Sequence, residues 1–358
     1  MVTEMKWSKE QFAEIDPQDM YGKIVDFPAQ LEDGFKLPIV AGKQKIDISR
    51  INSIVVAGMG GSAIGGDMLR AYLADQLQTP IYINRNYDLP QFVDKNTLLI
   101  GSSYSGNTEE TLAAFAEAQR RGCRLFVSTT GGKLGAIAEK AEIDRVTLPT
   151  GYQPRAALGY SFGPLLHFVE QIGLVPSQGK MIEAACKHLA GNREQYLLES
   201  EDDDNQAKQI ASLLFGKTAV IYAGADYYDT NAIRFKGQIC ENAKHLAYAN
   251  ICPEFNHNEL VGFEYPEELL AKRVVIFLTG PGDHKRVGHR FEIVESIVKD
   301  RGIETAWVKA NGPNRLAEIF SLVQLGDFVS FYLAMLNKVD PSPVKVIDRL
   351  KGELEHKA

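Results

Sequence analysis

Cysteine is scarce here and wrongly spaced for a metal. Cys123, Cys186, Cys240 and Cys252 are the four in the chain, and no two form a Cys-x-x-Cys pair. That excludes the common zinc frameworks and a dense disulfide scaffold, and leaves free, buried thiols in a reducing compartment. Positive charge is not in excess either. Lys and Arg number 39 against 46 Asp and Glu, a formal net charge of −7, so the basic surface that nucleic acid requires is missing. The opening segment, MVTEMKWSKEQF, is polar and lacks the apolar stretch of a signal peptide. No apolar run approaches the roughly 20 residues of a membrane helix. The expectation is a cytoplasmic protein that binds neither nucleic acid nor membrane. What the chain does have is length: 358 residues, 45% of them hydrophobic, more than one core usually serves, so two domains are expected.

Residues 1–50 read as a helical and irregular lead-in. A β/α alternation follows. Strands are predicted at 53–58, 80–84, 97–102, 124–129 and 145–148, with helices at 63–76, 108–122 and 133–141 between them. Gly163–Cys186 is apolar at helical spacing and reads as helical. The acidic cluster Glu199–Asp204 reads as a solvated linker. A second alternation has strands at 218–223, 273–279 and 304–309 and helices at 230–245, 284–302, 315–337 and 341–357. This rhythm predicts two α/β domains with mainly parallel sheets covered on both faces, in a flavodoxin-like three-layer arrangement. The divisions are a lead-in over 1–50, a first domain over 51–190 and a second over 205–358.

Three turns carry chemistry. Gly58-Met-Gly-Gly-Ser-Ala-Ile-Gly-Gly66 lies between a strand and a helix, where glycine lets backbone approach a ligand and free amides meet the helix dipole. It also fits the dinucleotide fingerprint through Gly58, Gly60 and Ala63. However, the next strand ends in Asn84 and Arg85, not in the acidic residue that would hold an NAD ribose. Ser102-Ser-Tyr-Ser-Gly-Asn-Thr-Glu-Glu110 places Ser103, Ser105 and Thr108 at another helix start. Capping that helix needs one hydroxyl; a phosphate uses several. Thr129-Thr-Gly-Gly-Lys133 imitates a P-loop but continues with Leu134, so ATP binding by it is rejected.

Gly60-Gly-Ser62, the run Ser103–Thr108, Tyr152-Gln-Pro-Arg-Ala-Ala-Leu-Gly159, Gly237-Gln-Ile-Cys-Glu-Asn-Ala-Lys244, Glu254-Phe-Asn-His-Asn-Glu-Leu260 and Leu350-Lys351 together resemble the bifunctional phosphoglucose/phosphomannose isomerases. These are double-SIS members of the phosphoglucose isomerase superfamily. The resemblance covers nearly all the chain from about residue 50 and implies the following. The activity is reversible conversion of glucose or mannose 6-phosphate to fructose 6-phosphate, with no cofactor or metal. Gly61, Ser62, Ser103, Ser105 and Thr108 hold the phosphate or nearby sugar oxygens. Arg155 faces the reacting carbons, Glu241 is the base, His257 opens the ring and Lys351 assists at the ring oxygen. A homodimer, with His257 crossing the interface, is implied in the same way.

The residue types suit that chemistry. A carboxylate can carry a proton between adjacent carbons, an always-charged guanidinium can stabilise the enediolate, and an imidazole exchanges protons near neutrality. Each also has a plainer reading: Glu241 as a surface helical residue paired with Lys244 or His245, Arg155 as a surface ion pair, His257 as a loop residue. Asp283, His284 and His289 suggest a metal less well than they suggest a solvated helix start. The alternatives are a regulatory SIS protein that binds a sugar phosphate without turning it over, another SIS-type isomerase, and an NADP oxidoreductase.

Overall fold

The structure is a computed structural model that describes residues 12–357. Most of the polar opening segment lies outside the described residues. In chain order the elements are α1 (Met20–Val25), α2 (Phe27–Lys36), β1 (Ile39–Val40), β2 (Ser53–Ala57), α3 (Gly60–Leu73), β3 (Ile81–Asn84), β4 (Thr97–Ser102), α4 (Glu109–Arg120), β5 (Arg124–Thr129), α5 (Gly132–Lys140), β6 (Asp144–Thr147), α6 (Leu158–Gln171) and α7 (Gly179–Asn192). The second half contributes α8 (Gln206–Leu214), β7 (Thr218–Gly224), α9 (Asp229–Asn242), β8 (Ala247–Cys252), α10 (Glu267–Leu270), β9 (Arg273–Thr279), α11 (Lys285–Lys299), β10 (Glu304–Lys309), α12 (Arg315–Leu336) and α13 (Lys345–Glu355).

Two sheets form. The first runs β1-β6-β5-β4-β2-β3 and is parallel throughout except where β1 pairs antiparallel with β6. The second, β10-β9-β7-β8, is wholly parallel. The orders 5-4-2-3 and 10-9-7-8 are the same path traced twice, so the two halves are structural repeats. The central strands β2 and β4 are buried along their whole length, and the interior residues of β7 and β9 are buried too, as sheets covered on both faces require.

One continuous apolar core runs from Phe12 to Leu336 and lies between the sheets. Smaller cores back the outer face of each sheet, around Phe115 and Val127 in the first and around Phe255, Phe277 and Phe291 in the second. The fold class read from the sequence is therefore present, with four corrections. β8 is a strand that the sequence pattern does not mark. Gly163–Cys186 is helical but interrupted: α6 stops at Gln171, Gly173 takes a positive φ of 83°, and α7 begins at Gly179. The lead-in is not separate, because β1 completes the first sheet. Finally, α12 is a 22-residue helix long and apolar enough by composition to cross a membrane, contrary to expectation, yet it is wholly buried. A helix apolar all round is a core helix when protein surrounds it, and here α7, α8 and α9 do.

Candidate active site

The first sheet reverses its winding between β2 and β4, the place where parallel α/β sheets open a crevice at their strand ends. Both hydroxyl-rich turns leave the sheet there. Ser62 Oγ accepts from Tyr104 N at 3.0 Å, and Ser102 Oγ donates to Ser62 O at 3.3 Å, so the two turns are tied together. Ser103 Oγ lies 2.9 Å from Thr108 Oγ1 and accepts from Gly106 N at 3.1 Å; Ser105 Oγ accepts from Asn107 N at 3.3 Å. Thr108 is the N-cap residue of α4, but its side chain makes no capping bond. The plain capping reading therefore fails, and several hydroxyls gather at the start of α4, an arrangement suited to an anion. Gly106 holds φ at 68°, and a Cβ there would sit 1.9 Å from Gly131 O, so only glycine fits this turn.

The same turns reach the second chemical group. A Cβ on Gly61 would lie 2.6 Å from Pro154 O, so the absence of a side chain brings the short 3₁₀ turn Pro154–Ala156 against the start of α3. Tyr104 pins this segment from the other side, donating to Pro149 O at 2.8 Å and accepting from Tyr152 N at 3.1 Å. The turn carries Arg155, which is only 4% exposed and not a surface ion pair. Its Nη1 donates to Glu241 Oε2 at 3.3 Å, its Nε to Asn242 Oδ1 at 2.6 Å, and its Nη2 to Ser342 O at 2.8 Å and to Pro341 O. Burial pulls the guanidinium pKa down, opposed by the Glu241 charge.

Glu241 sits in the last turn of α9, its side chain 34% exposed. It pairs with Arg155 and not with Lys244, whose Nζ donates instead to the backbone oxygens of Glu241 (2.6 Å) and Pro341 (3.1 Å). A cavity of about 640 Å³ opens beside Glu241, lined by Cys240, Lys244, Asp340, Val344 and Ile347 among others. His257 and Lys351 do not line it. His257 ends an exposed 3₁₀ turn held by the ring of Phe255 stacked on Tyr222 at 3.9 Å, and by Glu259, which accepts from Tyr222 Oη at 2.6 Å and from Asn250 Nδ2 at 2.5 Å. Lys351 lies on the exposed helix α13. The structure thus unites Gly61, Ser62, Ser103, Ser105 and Thr108 with Arg155 and, through it, Glu241. It leaves His257 and Lys351 elsewhere on the same chain. Asn242, Lys244 and Tyr104 are members of the site that sequence reasoning misses. Asn242 and Lys244 flank Glu241 in the motif that points to it, the only signal available.

His284 caps α11, its Nδ1 accepting from Arg286 N at 3.2 Å, and Asp283 accepts from Gly280 N at 2.9 Å. Among the described residues no group of three His, Cys, Asp or Glu side chains is placed to hold a metal.

Lys244 offers a pH test. Burial, with repulsion from Arg155 and against attraction to Asp340 and Glu241, lowers its pKa from 10.5 to about 8. Between those values the unfolded chain binds a proton that the folded chain does not, so this group's contribution to stability rises with pH. Melting temperatures of the native chain and Lys244→Met, compared from about pH 7.5 to about pH 10, should diverge in favour of the native chain as pH rises. A constant difference would mean that the ammonium is not desolvated.

Hydroxyl-rich turns at two strand ends, a shared sheet path in both halves and a buried arginine facing a carboxylate define a double SIS-domain protein. The SIS domain model matches residues 47–162, and the model of the bacterial phospho-glucose isomerase C-terminal SIS domain matches 203–354. The chain belongs to the bifunctional phosphoglucose/phosphomannose isomerase family. It is 42% identical over 338 residues to the family member of Caldicellulosiruptor bescii, covering 94% of this chain and 98% of that one. It is 37% identical to the member of Aquifex aeolicus, covering 87% and 93%. In fold it is similar to a hypothetical protein of Thermus thermophilus, with a TM-score of 0.72 at 15% identity over 98% of this chain and 93% of that one.

Proposed function

We propose that the chain interconverts glucose 6-phosphate and mannose 6-phosphate with fructose 6-phosphate through a cis-enediol(ate), as a soluble cytoplasmic homodimer. The reaction is redox-neutral: one carbon is oxidised as its neighbour is reduced, so no external electron carrier is needed. Glu241 takes the proton from C2 of the open-chain aldose while the electron pair moves toward the carbonyl oxygen on C1. It then returns a proton to C1 as the C2 oxygen becomes the carbonyl, the hydroxyl proton passing from O2 to O1. Arg155 stabilises the negative charge that develops on those oxygens. Ser62, Ser103, Ser105, Thr108 and the amide of Gly61 grip the phosphate, which fixes the reacting carbons against the carboxylate. The observation that carries this reading is the 3.3 Å pairing of Glu241 with a buried arginine whose turn packs on the phosphate-type loop.

Ring opening falls to His257, supplied by a second copy, with Lys351 at the ring oxygen. Support comes from exposed apolar side chains at the His257 loop, at β8 and at the cavity beside Glu241. Tyr248, Val261 and Tyr265 are 50–76% exposed, and Leu246 and Val346, at the cavity beside Glu241, are 60% and 84% exposed. Such apolar side chains at an edge strand and on an exposed helix suit burial against another chain. A coupled assay starting from fructose 6-phosphate tests the reading by scoring both aldose products. Formation of both is expected; formation of neither would overturn the assignment. The regulatory alternative loses to family membership and to the acid–base groups.

A further inference from the structure

Arg155 makes a single ion pair, with Glu241, among the described residues. Its remaining partners are neutral: two backbone oxygens and the amide oxygen of Asn242. The direction of that amide is set from behind. Ser330 Oγ donates to Asp327 O at 2.8 Å, which leaves its oxygen as an acceptor, and Asn242 Nδ2 donates into it at 2.9 Å. The Asn242 end facing Arg155 must therefore be the oxygen, because the flipped amide would set N–H against N–H. Asn242 and Ser330 are fully buried, so no solvent competes for either bond. The buried carboxylate of Asp327 is taken up elsewhere: both its oxygens accept from Arg234 Nη2 at 3.0 Å, and Gln238 Nε2 adds a bond at 2.7 Å. Asp340, Arg234 and Lys244 contribute field at this site without an ion pair to Arg155.

We propose that Asn242 is a positioning residue of the isomerase: a neutral acceptor, oriented by Ser330, that locks the guanidinium of Arg155 in place while leaving its charge undivided for Glu241 and the enediolate. This rests on the reading of Arg155 given above. An aspartate at 242 would accept the same hydrogen bond and fill the same volume, but it would share the guanidinium's charge and leave Ser330 Oγ facing an acceptor.

The test is Asn242→Asp, with Ser330→Ala as a milder companion that removes the orienting acceptor together with its own bond to Asp327 O. In Asn242→Asp, kcat should fall about 10- to 100-fold with KM held within about threefold, because the phosphate turns are untouched and the loss is of charge stabilisation in the transition state. Affinity for a phosphorylated aldonohydroxamate, whose planar anion imitates the enediolate, should fall by the same factor as kcat, while binding of inorganic phosphate is unchanged. Introduced into an Arg155→Met background, Asn242→Asp should cost nothing further. Equal losses in both backgrounds would make Asn242 merely structural and overturn the proposal, as would wild-type kcat and hydroxamate affinity in Asn242→Asp. Should Asn242→Asp fail to fold, Ser330→Ala decides: a partial loss of kcat that vanishes in the Arg155→Met background is expected, and no loss overturns the proposal. Full activity in Arg155→Met alone would instead remove the underlying reading of Arg155, a distinct result.

Discussion

Glu241→Gln abolishes isomerisation: kcat is expected to drop on the order of 10³-fold, the range for losing a positioned general base, while KM changes little. The substitution is isosteric. Its amide oxygen can still accept from Arg155 Nη1, which now reaches the carboxylate at 3.3 Å, so the buried guanidinium keeps a partner and the fold has no reason to rearrange. What the amide cannot do is take a proton from carbon. Two measurements check this: consumption of fructose 6-phosphate at saturation, and incorporation of deuterium from solvent into the recovered sugar phosphates. Both should vanish together. Turnover within about tenfold of the native rate would remove Glu241 from the role of base.

The largest loss of stability is expected at a pair that touches no substrate. Arg234 and Asp327 are 4% and 6% exposed, and Arg234 Nη2 also donates to the carbonyl of Arg155 at 2.8 Å. Burial pushes the Asp327 carboxyl up while Arg234 draws it down, so the ion pair persists only as a pair. Asp327→Ala strands a buried cation and should cost about 3–5 kcal/mol, read as a lowered urea midpoint. The double variant Arg234→Met/Asp327→Leu, which replaces both charges by apolar groups of similar size, should recover most of that loss. Its kcat should stay depressed, because the carbonyl of Arg155 has lost its anchor. A double variant no more stable than Asp327→Ala would mean that the pair contributes packing and not charge.

The strands are legible wherever an apolar run ends in glycine, serine or threonine. Thr97–Ser102, Arg124–Thr129 and Arg273–Thr279 have the bounds that their residues suggest. β8 is hidden because Ala247–Cys252 follows α9 after a four-residue gap and carries Asn250 and Ala residues where a run of branched side chains would mark a strand. The hydroxyl-rich turns are readable because their residues are neighbours in the chain. The cage around Arg155 is not. It is assembled from Asn242, Pro341 and Ser342, partners 87 to 187 positions away, and no local pattern encodes which distant carbonyl an arginine will meet. For the same reason the motif around Glu241 marks the site but not the work of its neighbours: Asn242 holds the arginine and Lys244 binds backbone.

α12 enters the chain late, at Arg315, yet it occupies the middle of the protein, against α1, α7, α8 and α9. On the ribosome, therefore, every strand of both sheets emerges before the element that seals them together. Until the residues from Arg315 onward are made, the faces that α12 will cover are open to water, and the nascent chain must be kept from sticking to itself and to its neighbours. A message broken before that point yields a polypeptide with all the strands of the enzyme and no centre.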